Sequence, residues 1–157
     1  MKKKSREIRI SWTQLEKLSA QLARAIKASG FEPDHVVGIA MGGLIPLALV
    51  ARKLGVKSVA TITARSYDGK TRKRRKISTS NVPQAFARGT RVLIIDEIAD
   101  TGETLRAVSK ILKARCGARD ARTATLVMNE KRCHFLPDFS VMKVDRWVVF
   151  PWEKKIV

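Results

Sequence analysis

Four consecutive apolar residues, Val92 to Ile95, run without a polar break into two adjacent carboxylates, Asp96 and Glu97. No other feature of the chain limits its architecture as tightly. An apolar run this short, without alternation, suits a parallel strand buried on both faces. The acids then sit at the strand's carboxyl end, where open α/β sheets bind ligands. Asp100-Thr101-Gly102-Glu103-Thr104 follows and opens a helix predicted over 103–115. Hydroxyls, a glycine and free backbone N–H groups at a helix start make an anion site. A divalent cation and a sugar placed between acids and anion site reconcile the two, which points to a phosphorylated sugar held with magnesium.

The flanking sequence supplies the rest of an α/β layout. Leu15, Leu18, Leu22, Ala25 and Ile26 share one face of a helix predicted over 11–29, with Ser11 and Gln14 as a capping box and Gly30 as its stop. His35–Ala40 reads as a strand, Gly42-Gly43 as its end, and Leu44–Leu54 as a helix with Pro46 in the first turn. Strands are predicted at 57–64 and 122–129. Residues 66–82 are polar, basic and aperiodic, and read as a long mobile loop of the kind that is usually functional. A tail from about 130 to 157 carries Trp147, Phe150, Pro151 and Trp152 and reads as a small C-terminal hood. Strands alternating with helices predict one domain over 1–157, a mostly parallel sheet flanked by helices.

Composition narrows the setting. At 157 residues the chain can bury roughly two-thirds of its unfolded surface. No apolar stretch approaches the ~18 residues that span a membrane, no apolar signal core follows Met1-Lys-Lys-Lys, and Cys116 and Cys133 lack metal-ligand spacing. A cytoplasmic protein with reduced thiols is expected. The net charge is +18, and residues 70–76 hold only six of the 32 basic residues, so the excess is spread along the chain. Such a field draws polyanions, whether nucleic acid or a polyphosphate substrate. The G-x-x-x-x-G-K-[ST] and G-x-G-x-x-G phosphate motifs are both absent. Asp100 or Thr101 alone could simply cap a helix. Two adjacent acids ending a buried strand repel each other and call for a compensating cation.

The stretch from Val92 to Leu105 closely resembles the signature of type I phosphoribosyltransferases. The resemblance implies that Asp96 and Glu97 face the ribose hydroxyls of 5-phosphoribosyl 1-diphosphate (PRPP), directly or through Mg2+. It further implies that Asp100, Thr101, Gly102, Glu103 and Thr104 wrap the 5′-phosphate. Val37 to Pro46 is similar to the family's diphosphate loop, with Met41, Gly42 and Gly43 at its centre and Met41 where purine members usually carry a basic residue. Ser66-Tyr67-Asp68 matches the start of a lid over PRPP, and the basic run behind it would grip the diphosphate.

The layout is most similar to the 6-oxopurine (xanthine-guanine) branch. There Lys131 matches the donor to the purine 6-oxo group and Trp147 the ring that stacks on the base. Asp100 matches the carboxylate that accepts or shares the purine N7 proton. A purine salvage enzyme releasing diphosphate, acting as a homodimer or homotetramer with the 44–54 helix a candidate interface, is the implied reading. The alternative is a PRPP-sensing regulator or RNA/DNA-binding protein on the same fold, favoured by the charge and by Met41. Which acid meets the metal, and which 6-oxopurine is preferred, stay open at this level.

Overall fold

The computed structural model describes residues 7–67 and 76–153. The elements run β1 (Ile8–Arg9), α1 (Trp12–Ala28), β2 (His35–Ala40), α2 (Leu44–Leu54), β3 (Val59–Tyr67), β4 (Lys76–Ser80), β5 (Arg91–Ala99), α3 (Glu103–Arg115), β6 (Asp120–Asn129), β7 (Phe139–Val144) and β8 (Val148–Val149), closed by a 3-10 turn at Pro151–Glu153.

Six strands form the main sheet in the order β4-β3-β2-β5-β6-β7. All neighbours are parallel except the edge pair β3 and β4. The apolar run at Val92–Ile95 lies centrally in β5 and is fully buried, as a strand covered on both faces must be. Leu93 and Ile95 pack with α1 and α2 in one core layer. Val92 and Ile94 pack with α3 in the other. Consecutive strands leave β2 in opposite directions, to β3 on one side and β5 on the other, so the sheet has its switch point between β2 and β5. The crevice at the carboxyl ends there is where such sheets bind ligands.

Helix α1 starts on the expected capping box, with Ser11 Oγ accepting from Gln14 N–H at 3.2 Å and Gln14 Oε1 accepting from Ser11 N–H at 2.9 Å. Helices α2 and α3 run over the predicted residues.

Two expectations change. The 66–82 segment is not a loop throughout: Ser66 and Tyr67 end β3, and Lys76–Ser80 returns beside it in antiparallel register, pairing Ser66 with Ile77. A solvated edge hairpin needs no apolar periodicity, which is why its polar sequence resembles a loop. Asp68 and most of the basic run lie outside the described residues. The 130–157 segment is likewise divided. Phe139–Val144 joins the main sheet beside β6, while Val148–Val149 pairs with Ile8–Arg9 in a separate two-stranded sheet that makes the hood. Trp152 packs there against Phe150, with centroids 5.0 Å apart, and against Trp12. Among the described residues no helix is long and apolar enough to cross a membrane.

Candidate functional site

Two adjoining cavities open at the carboxyl ends of β5 and β6, and Glu97, Ile98 and Asp100 belong to both. The first, about 230 Å³, is lined by residues 96–105 together with Ser66 and Ile77 from the edge hairpin. The second, about 470 Å³, lies under the hood and is lined by Asn129, Arg132, Asp145, Trp147 and Phe150 among others.

The floor of the first cavity is the turn from β5 into α3. Gly102 holds φ at +86° as the N-cap, and a Cβ there would run into the Phe135 carbonyl, so only glycine fits. Thr101 Oγ1 accepts weakly from Glu103 N–H at 3.4 Å. The first-turn N–H groups beyond it have no partner within the helix and stay available to an anion. The segment after β6 braces this turn from behind: His134 N–H and Phe135 N–H donate to the Thr101 carbonyl at 3.1 and 3.4 Å. His134 Nε2 lies 2.5 Å from Glu103 Oε1, which raises the imidazole pKa and lowers that of Glu103.

Successive residues of a strand point to opposite faces, and this separates the two acids. The Glu97 carboxyl lies against Gly42 in the turn after β2, in the space a Gly42 side chain would need. Gly43 is enclosed by backbone instead, since a Cβ would meet the carbonyls of Ile39 and Ile95 at 2.6 and 2.7 Å. The expected diphosphate loop therefore touches the acidic end of β5, while the Met41 side chain points to solvent at 80% exposure. Asp96 accepts a hydrogen bond from Glu97 N–H at 2.9 Å. Burial, reinforced by the Glu97 charge, holds its carboxyl well above the usual carboxylate range. Among the described residues no Lys, Arg or His pairs with either acid. No cluster of three or more ligating side chains exists among the described residues.

Asp100 stands on the wall between the cavities. Its carboxylate accepts from Asn129 Nδ2 at 3.3 Å and pairs with Arg132 Nη2 at 3.1 Å. Asn129 is buried, and its Oδ1 in turn accepts from the backbone N–H groups of Lys131 and Arg132 at 3.1 and 3.2 Å. Trp147 presents its ring to the second cavity at 63% exposure. Lys131 does not: it is exposed outside that cavity, with Nζ 3.1 Å from Asp145 Oδ2. Asp145 binds both Arg146 and Lys131, and these hydrogen bonds pull its pKa down to about 2.

Asn129, Arg132 and Asp145 were not singled out by sequence reading. Only an uncharged polar residue closing a long buried strand marked Asn129, and nothing local marked the other two.

The family described as phosphoribosyl transferase domain matches residues 11–156. The chain is 32% identical to the xanthine-guanine phosphoribosyltransferase of Ruegeria sp. (strain TM1040), covering 92% of this chain and 84% of that protein. Its structure matches the purine phosphoribosyltransferase of Pyrococcus horikoshii Ot3 with a TM-score of 0.83 at 30% identity, over 96% of this chain and 97% of that one. The xanthine-guanine-hypoxanthine phosphoribosyltransferase of Helicobacter pylori matches with a TM-score of 0.84 at 25% identity, over 95% of both chains.

Proposed function

The chain belongs to the phosphoribosyl transferase domain family, and we propose that it transfers the 5-phosphoribosyl group of PRPP to N9 of a 6-oxopurine, releasing diphosphate, in purine salvage. The observation that carries this reading is the position of Asp100. It begins the turn into α3 on one side and lines the Trp147 cavity on the other, so one carboxylate would face both a ribose 5-phosphate and a base.

In the reaction the N9–C1′ bond forms as the bond from C1′ to the diphosphate oxygen breaks. The first-turn N–H groups of α3, with Thr101 and Thr104, hold the 5′-phosphate, and Gly42 and Gly43 let the diphosphate approach the backbone. Positive charge that builds on the ribose is favoured by the acids at the end of β5. Asp100 takes the proton from N7 as N9 attacks, and its pairing with Asn129 and Arg132 fixes it for that task. Trp147 supplies the stacking surface for the base. Asp96 and Glu97 would hold a Mg2+ ion, which would neutralise charge on the leaving diphosphate. Glu97 is the better placed of the two to reach the diphosphate, because it lies against Gly42.

The two cysteines are free, which fits a reducing cytoplasm, and a homodimer or homotetramer is the assembly we expect. A spectrophotometric assay with PRPP, Mg2+ and each of xanthine, guanine, hypoxanthine and adenine tests the proposal. Nucleotide should form with the 6-oxopurines; no product from any base would refute it.

A further inference from the structure

We infer that Arg132, rather than Lys131, reads the 6-oxo group of the purine in this chain, an inference that rests on the phosphoribosyl-transfer reading above. Lys131 has its ammonium tied to Asp145 and lies off the hood cavity. The guanidinium of Arg132 is in the cavity wall with Trp147 and contacts Asp100.

The chemistry of the purine edge connects these positions. N7 and the 6-oxo group are neighbours on one edge of the ring: in the proposed reaction N7–H faces the Asp100 carboxylate, and the 6-oxo oxygen beside it accepts from a cationic N–H donor. Asp100 is the group facing N7 in the proposed reaction. A guanidinium already 3.1 Å from Asp100 is therefore next to the 6-oxo position once a base lies on Trp147. Five N–H donors allow it to keep Asp100 and donate to the carbonyl at once. It has no acceptor for the amino hydrogens of adenine, so the same residue rejects 6-aminopurines. The Arg132 backbone is fixed for this by its hydrogen bond to the buried Asn129 side chain, while the side chain itself, 53% exposed, needs no burial to fold.

The test measures kcat/KM for guanine, hypoxanthine and adenine in the wild type, Arg132→Ala, Arg132→Lys and Lys131→Ala, with GMP and AMP binding by calorimetry in each. Arg132→Ala is expected to lower kcat/KM for the 6-oxopurines about 10- to 100-fold, the scale of losing one charge-assisted hydrogen bond. The loss should fall in the KM of the base, with the PRPP KM nearly unchanged and partial recovery in Arg132→Lys. GMP binding should weaken and AMP binding should not. Equal losses for GMP and AMP would overturn the inference, because N7 is common to both and Arg132 would then act only through Asp100. A larger loss in Lys131→Ala than in Arg132→Ala would also overturn it. A wild type that neither turns over a base nor binds GMP would refute phosphoribosyl transfer itself, and this inference with it. A working wild type indifferent to Arg132→Ala refutes the role of Arg132 alone.

Discussion

The carboxyl of Glu97 fills the space into which a side chain on Gly42 would project. The end of β5 and the turn after β2 thus meet through a glycine and an acid. The two glycines of that turn consequently have different jobs. Gly42→Ala displaces only the tip of a flexible side chain, whereas Gly43→Ala drives a methyl into the Ile39 and Ile95 carbonyls. Gly43→Ala should cost about 1–3 kcal/mol in thermal or denaturant unfolding, as overpacking does. Gly42→Ala should leave the melting temperature nearly intact and lower kcat/KM for PRPP about tenfold, as a displaced binding group would. Equal stability losses in the two variants would show that Glu97 does not sit over Gly42.

The two acids of β5 should be indispensable to turnover. Asp96→Asn and Glu97→Gln keep shape and remove charge, and each should reduce PRPP turnover by at least about 100-fold, the scale of losing one electrostatic contact to a developing charge. Chelating divalent cations should abolish wild-type turnover, and Mg2+ should restore it. Near-normal rates in the double variant would remove these acids from the site.

Asn129 joins Asp100 to the 131–132 backbone, so its truncation should register twice. Asn129→Ala removes the part-buried acceptor of the Lys131 and Arg132 N–H groups, costing about 0.5–1.5 kcal/mol in stability. It also frees the Asp100 carboxylate on one side, so kcat should fall more than the PRPP KM rises. Steady-state kinetics at saturating PRPP separate the two effects. An unchanged kcat would mean that Asn129 merely closes the turn.

That residue also shows where sequence stops informing. The strand Val92–Ile95, the helices at 44–54 and 103–115 and the Ser11 capping box were legible because each is written in contiguous periodicity or local chemistry. So was the placement of the acids and of the Asp100–Thr104 turn, which depends on one strand and one helix start. β1 and β8 are two residues each, and no period can be read from so few. β4 is an edge strand with polar residues facing water, and it read as a loop. Asn129, Arg132 and Asp145 gain meaning only when the chain after β6 folds back beside Asp100. Lys131 comes from the family resemblance, and its ammonium lies 3.1 Å from the Asp145 carboxylate, outside the lining of the hood cavity.

The His134–Glu103 pair sets a pH window for the brace behind the anion turn. His134 has a raised pKa, so its stabilising contribution is complete below 6.5 and is lost as pH rises through the raised value. Glu103 has a lowered pKa, so its contribution is complete above 4.5 and is lost as pH falls through the lowered value. The pair therefore supports the fold most between about pH 4.5 and 6.5. His134→Gln should show its largest deficit in melting temperature in that interval and a shrinking one towards pH 9. A deficit independent of pH would assign the loss to the backbone contacts of His134 instead.

The basic run decides between substrate grip and nucleic-acid contact. Ser66 and Ile77, paired near the ends of β3 and β4, both line the cavity formed by the turn into α3. Arg72, Lys73, Arg74, Arg75 and Lys76 are all cationic at neutral pH. Replacing the five with Gln should raise the PRPP KM about tenfold at low salt, with the difference from wild type narrowing as ionic strength screens the attraction. The KM for the base should move less, because the described lining of the hood cavity comes from residues 97–100, 129–132 and 145–153. Binding of a short single-stranded RNA, followed in parallel, supplies the contrast. Lost RNA binding with intact PRPP kinetics would assign the run to nucleic acid and revive a regulatory role. A raised PRPP KM with RNA binding unaltered would assign it to the substrate alone.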